Sequence, residues 1–249
     1  MIPKIIHYCW LSGDPFPKKM QYCINSWRKV LPDYEFVLWD TKRFPLEQSP
    51  WVKEAFEAKL YAFAADYIRV YAIYHYGGIY LDCDVEVIKR FDDLLHLPYF
   101  IGKEATGNRV EVAAFGAEKG SLWVKQCLDY YEGKHFKLPD GSLYIKIIPE
   151  IVHEIISGHY EIKHIINKDD FDYRPQVFYE FPNDWFCAHV YIRPDDPTSL
   201  SYIISDNTYC VHHFTNSWVK EIRSESFIKR IVSRLSIRLR RIYMMVFGN

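Results

Sequence analysis

The chain has 249 residues, a hydrophobic fraction of 49% and a formal net charge of −1. Such a chain builds a sizeable core, which excludes a disordered polypeptide, and its charge advertises no nucleic-acid partner. No uncharged apolar run reaches the roughly 18 residues of a spanning helix. Ile2 to Tyr8 has the composition of a buried strand, and Trp10, Ser12 and Gly13 follow as a loop. From Pro17 to Val30, Met20, Cys23, Ile24, Trp27 and Val30 keep helical spacing. Pro32 and Asp33 break that helix, and Tyr34 to Trp39 reads as a second strand ended by Asp40. Strand, helix, strand is a βαβ unit, which predicts an α/β fold with a mostly parallel central sheet flanked by helices. Ligands of such sheets bind at the carboxyl ends of the strands, here Trp10, Ser12, Gly13 and Asp40.

Ser49 and Pro50 predict the start of a short helix over 50–58. A long apolar helix follows, roughly 60–76. Between Leu60 and Leu81 its only formal charges are Asp66 and Arg69. Gly77 and Gly78 stop it and turn the chain into a short strand, Ile79 to Leu81. Asp82 and Asp84 stand where that strand ends. Val85–Ile88, Tyr99–Lys103 and Val112–Ala117 read as further strands. Ser121 caps a predicted helix to about Tyr131, Pro139-Asp140-Gly141 is a turn, and Leu143 to Ile156 reads as a helix kinked at Pro149. Residues 161–187 read as short strands and loops without a clear order. Tyr209 to Phe214 is a strand, followed by HHFTNSW (212–218).

No repeat or linker divides residues 1–223, which read as one catalytic domain. From Ser224 to Asn249 six Lys or Arg interleave with apolar residues, against a single Glu. That is a basic amphipathic helix, suited either to an anionic membrane surface or to docking on the domain. The six cysteines form no C-x-x-C pair and read as reduced, buried thiols of a cytoplasmic protein. The short N-terminal segment reads as a strand, not a signal peptide.

The chemistry concentrates in four charges. In extended geometry Asp82 and Asp84 point the same way, and two adjacent carboxylates repel unless a cation lies between them. Mn²⁺ or Mg²⁺ takes carboxylate and phosphate oxygens, so a nucleotide diphosphate is the expected ligand. Asp66 and Arg69, three residues apart in an almost chargeless helix, read either as a mutual i,i+3 ion pair or as two charges that a ligand rich in hydroxyls and phosphates satisfies. His212 or His213 can add an imidazole to the metal. A second D-x-D pair, Asp170 and Asp172, reads as solvated loop.

IPKIIHYCW (2–10), ADYIRVYAIYHYGGIYLDCDV (65–85) and HHFTNSW together resemble glycosyltransferase family 32, the DXD-containing sugar transferases that include initiating mannosyltransferases and capsular polysaccharide enzymes. The resemblance covers residue 2 to about 220. It implies a GT-A-type nucleotide-sugar-binding fold and a retaining transfer of a hexose from a UDP- or GDP-sugar to a glycan or lipid-linked glycan, in surface polysaccharide synthesis. Asp82 and Asp84 would then hold metal and diphosphate, and Asp66 and Arg69 the donor sugar. His7, Trp10 and Tyr80 would line the donor pocket, and Ser217 and Trp218 would touch phosphate. Glu111 stands where the pattern has a polar amide. The cysteines and the N-terminal strand read as those of a cytoplasmic enzyme, which the membrane-binding reading of the tail would make peripheral on the inner face of the membrane. The alternatives are a DxD phosphatase of the haloacid dehalogenase kind, disfavoured by Glu86 at the fourth position after Asp82, and an inactive sugar- or membrane-binding module.

Overall fold

The structure, a computed structural model, describes residues 1–104, 109–191 and 200–215. In chain order the elements are β1 (Ile5–Cys9), α1 (Lys18–Val30), β2 (Glu35–Trp39), α2 (Pro50–Glu57), α3 (Tyr61–Tyr76), β3 (Gly78–Leu81) and β4 (Val85–Val87). Next come β5 (Tyr99–Lys103), β6 (Val110–Ala117), α4 (Leu122–Asp129), α5 (Ile148–His159), β7 (Glu161–His164), β8 (Val177–Glu180), α6 (Asn183–Phe186), β9 (His189–Tyr191), β10 (Leu200–Tyr202) and β11 (Cys210–His212).

Five strands form the central sheet in the order β2-β1-β3-β6-β5. β1 runs parallel to both β2 and β3, and β6 lies antiparallel between β3 and β5. Four strands therefore point one way and β6 is reversed, a mixed version of the expected sheet in an α/β architecture. Helices cover both faces. One core packs the sheet under α2, α3, α4 and α5. The other packs it against α1, β4, α6 and β11. β3 serves both: Ile79 and Leu81 enter the second core and Tyr80 the first, as alternation along a strand requires.

Local signals hold where they rest on caps and spacing. Ser49 accepts the Val52 amide and Pro50 begins α2. Buried Met20, Cys23, Ile24 and Trp27 line one side of α1. All six cysteines are buried free thiols. Asp170 and Asp172 are exposed.

Three expectations change. α5 begins at Ile148, and Pro149 sits in its first turn, where a missing N–H costs nothing; it starts the helix instead of kinking it. Ser121 precedes α4 but makes no side-chain cap. Residues 161–180, unordered from the sequence, form the parallel pair β7–β8.

The turn between α3 and β3 depends on its glycines. Gly77 and Gly78 have φ of +67° and +109°. A Cβ on Gly78 would lie 2.7 Å from the Ile5 carbonyl oxygen, so only glycine lets β3 approach β1 there.

No helix among the described residues is long and apolar enough to cross a membrane. Segment 224–249 lies outside the described residues, as do Ser217 and Trp218.

Candidate active site at the carboxyl end of β3

The chain leaves β3 through a tight turn. The Val85 amide donates to the Asp82 carbonyl at 3.0 Å, and the Asp82 amide donates to Ala113 on β6 at 2.8 Å. Asp82 and Asp84 are thus brought together by a hydrogen-bonded turn, not by extended alternation. Asp82 keeps a side-chain exposure of 28%, while Asp84 is buried.

β4 follows at once and pairs antiparallel with β11, with His212 opposite Val85. That register carries a histidine from more than a hundred residues away to the aspartates. His212 Nε2 lies 3.5 Å from Asp84 Oδ1. Asp82, Asp84 and His212 each offer one ligand atom, all within 4.8 Å of one another. Two carboxylate oxygens and an imidazole nitrogen suit a Mn²⁺-type ion, so the donor set fits the expected metal.

His213 goes elsewhere. Its Nε2 is 2.9 Å from Glu86 Oε2, which corrects its placement among the metal ligands. His213 follows the end of β11, and its ring turns to Glu86 instead of the aspartates. Its backbone still serves the site, because the His213 amide donates to the Asp84 carbonyl. Thr215 closes over Asp84: its amide and Oγ1 both donate to Oδ2, at 2.9 and 2.8 Å. Burial works against the charge on Asp84, but His212 and the Thr215 bonds hold its carboxyl below the usual range.

The α3 side supplies the second pair. Arg69 Nη2 meets Asp66 Oδ1 at 2.9 Å, and Nη1 lies 3.4 Å from Asp82 Oδ2 and donates to the Val112 carbonyl at 2.9 Å. Its guanidinium stands 4.7 Å over the Tyr80 ring, and the Tyr80 hydroxyl donates to Asp82 Oδ1 at 2.9 Å. Tyr80, 1% exposed, is a floor beneath Arg69 and a prop for Asp82. Arg69 therefore joins the two predicted pairs into one network. Asp66 and Arg69 are both buried. Burial pushes the Asp66 carboxyl up to about 7 against the pull of Arg69, and raises Asp82 as well.

His7 is not at this site's surface. It is 1% exposed, accepts the Trp39 indole proton at Nδ1 (3.0 Å) and meets the Gly77 carbonyl through Nε2 (2.9 Å). With both ring nitrogens engaged it offers no atom to a nucleoside, which corrects its reading as a donor-pocket residue. Trp10 follows the end of β1, where the Cys9 carbonyl accepts the Cys83 thiol at 3.3 Å. It is half-buried, packs on Phe16 at 4.8 Å between ring centres and donates to the Asp14 carbonyl. Asp40 folds its own turn, accepting the amides of Lys42 and Arg43.

Thr215 escaped the sequence reading, although it lies within HHFTNSW. So did the role of Glu111, whose two oxygens each lie 3.4 Å from His212 Nδ1.

Residues 17–101 match the family described as "Glycosyltransferase sugar-binding region containing DXD motif". The chain is 33% identical over 129 residues to inositol phosphoceramide mannosyltransferase 3 of Schizosaccharomyces pombe, covering 50% of this chain and 36% of that protein. It is 36% identical over 110 residues to mannosyl phosphorylinositol ceramide synthase CSH1 of Saccharomyces cerevisiae, covering 41% and 28%. The chain thus spans about a third of the length of these curated relatives. Among solved structures, the PaToxG glycosyltransferase aligns with a TM-score of 0.47 and 18% identity, over 63% of this chain and 68% of that one. The one D-x-D within the matched residues is Asp82-Cys83-Asp84. Over residues 17–101 this chain is similar to the sugar-binding region of the DXD-containing glycosyltransferases.

Proposed function

We propose that the chain is a divalent-metal-dependent, retaining glycosyltransferase that moves a hexose from a nucleotide diphosphate sugar to a lipid-linked or glycan acceptor. The observation that carries this reading is the convergence of Asp82, Asp84 and His212 at the end of β3, with Arg69 bridging Asp82 to Asp66. Bound there, Mn²⁺ or Mg²⁺ would act as a Lewis acid on the leaving diphosphate. Asp66 and Arg69 bind and orient the donor sugar, and Tyr80 fixes both Arg69 and Asp82 from below. Retention follows from front-face attack. The acceptor oxygen bonds to the anomeric carbon on the side from which the diphosphate departs, the carbon–oxygen bond to the diphosphate breaks, and the acceptor proton passes to a diphosphate oxygen. Asp66 is tied to Arg69, and Glu111 to Ala113 and His212, so neither is free as a covalent nucleophile.

The relatives named as inositol phosphoceramide mannosyltransferases support mannose as the sugar and a phosphorylated lipid as the acceptor, ahead of a surface polysaccharide. In this reading residues 1–223 catalyse, Ser217 and Trp218 touch the diphosphate, Trp10 faces the nucleoside, and the basic segment 224–249 holds the enzyme on the cytoplasmic face of a membrane.

Nucleotide release from a panel of UDP- and GDP-hexoses, with and without Mn²⁺, tests the reading. One donor should be consumed selectively, only with metal, and Asp82→Asn should abolish it. Turnover that survives chelation, or full activity in Asp82→Asn, overturns it.

A further inference from the structure

His212 stands between two acidic groups. Nε2 faces Asp84, and Nδ1 faces Glu111 on β6. Glu111 is 3% exposed, and a carboxylate so deeply placed is costly unless bonded. It is well satisfied: the Ala113 amide donates to Oε1 at 2.9 Å, both oxygens lie 3.4 Å from His212 Nδ1, and the Cys187 thiol hydrogen-bonds to it. Glu111, Cys187 and His212 form a second group whose ligand atoms lie within 4.8 Å of one another. One imidazole cannot serve both sides equally. A nitrogen that keeps its proton is a donor and not a ligand, and the partner of the protonated nitrogen decides which one coordinates.

We propose that Glu111 is a positioning residue for the metal site: it accepts the Nδ1 proton of His212, fixes the tautomer and ring plane, and so presents the Nε2 lone pair to the space shared with Asp82 and Asp84. The inference rests on the reading of those three residues as a metal site. A carboxylate behind a ligand histidine raises its basicity as well as orienting it, and removal of such a partner costs 10–100-fold in metal affinity. The placement of Glu111 fits this role better than direct contact with a sugar, because its oxygens are occupied and shielded from solvent.

The test is titration of the full-length chain with Mn²⁺ alone, following free Mn²⁺ by its paramagnetic resonance signal and nitrogen coordination by pulsed resonance. Glu111→Gln keeps the size of the side chain. It should weaken Mn²⁺ binding about 10–100-fold and alter the nitrogen coupling, with a thermal midpoint close to that of the unsubstituted protein. In a His212→Ala background the same substitution should add no further loss, because there is no ring left to aim; a merely structural Glu111 would not show this dependence. Unchanged Mn²⁺ affinity and nitrogen coupling in Glu111→Gln overturn the inference while leaving the metal site standing. So does an equal loss in the His212→Ala background. Absence of Mn²⁺ binding by the unsubstituted chain, or binding indifferent to Asp84→Asn, overturns the metal-site reading itself.

Discussion

Each end of β3 has a histidine beside a tight turn, His7 fully buried and His212 largely so, and the two are built to opposite purposes. At the amino end His7 fills its hydrogen bonds with Trp39 and the Gly77 carbonyl, wholly within the core. Burial pushes its imidazole down to about 4, with the Gly77 bond pulling the other way. At the carboxyl end burial also disfavours the charged ring of His212, yet Glu111 and Asp84 outweigh it and raise the imidazole well above its usual value. One histidine is neutral and closes a turn. The other is surrounded by negative charge that a cation would neutralise. Burial is common to both, so it does not distinguish packing from chemistry; the identity of the partners does.

The sharpest way to break this comparison is Asp84→Asn. If the carboxyl end is the chemical end, hexose transfer should fall by roughly 10²–10³-fold, the scale of losing one preorganised electrostatic group. The thermal midpoint should barely move, since the amide oxygen can still accept from Thr215. A large fall in stability with transfer intact would assign both ends of β3 to packing.

Next in size is an acid effect at the other end. His7 has a folded pKa below its unfolded value, so between pH 6.5 and 4 the unfolded chain binds a proton that the folded chain refuses. Stability therefore falls as pH drops through that window, by an amount on the order of 3 kcal/mol. Urea unfolding from pH 7 to 4.5 should show a steeper decline in the unsubstituted protein than in His7→Gln. Parallel curves would mean that His7 is not held neutral.

Gly78→Ala follows. The new methyl would press on the Ile5 carbonyl oxygen at 2.7 Å in a left-handed backbone region, with strain of about 2 kcal/mol. For a chain of this size that is a fall of roughly 4–8 °C in the thermal midpoint. The KM for the donor should be unchanged below the transition. A shift in KM without loss of stability would tie the amino end of β3 to the ligand.

The same contrast marks the limit of sequence reading. α1 to α3 and β1 to β3 are legible because periodicity, caps and glycines are local causes. Asp66, Arg69, Asp82 and Asp84 are legible because charge is conspicuous in an apolar stretch. His7 misleads: nothing near it in the chain reveals that Trp39, a strand away, donates to it. The choice between His212 and His213 is fixed by the register of β11 on β4, which is settled by tertiary pairing. Glu111 gains its meaning only when β6 and β11 meet. The turn at Asp82–Val85 was hidden because D-x-D fits extended and turned backbone alike.

The smallest effect probes how finely the carboxyl end is tuned. Thr215→Val keeps the shape of the side chain and the backbone amide bond to Asp84 but removes the Oγ1 bond. That bond fixes Oδ2 and so leaves Oδ1 toward His212. Its loss should cost about 1 kcal/mol of orientation, or roughly five-fold in Mn²⁺ affinity, read by the same Mn²⁺ titration. The direction carries the information. If Oδ2 itself were the metal-binding oxygen, Thr215 would compete with the ion for it, and Thr215→Val would bind Mn²⁺ more tightly. A gain in affinity would therefore reassign the ligand atom of Asp84 while leaving the contrast between the two ends of β3 intact.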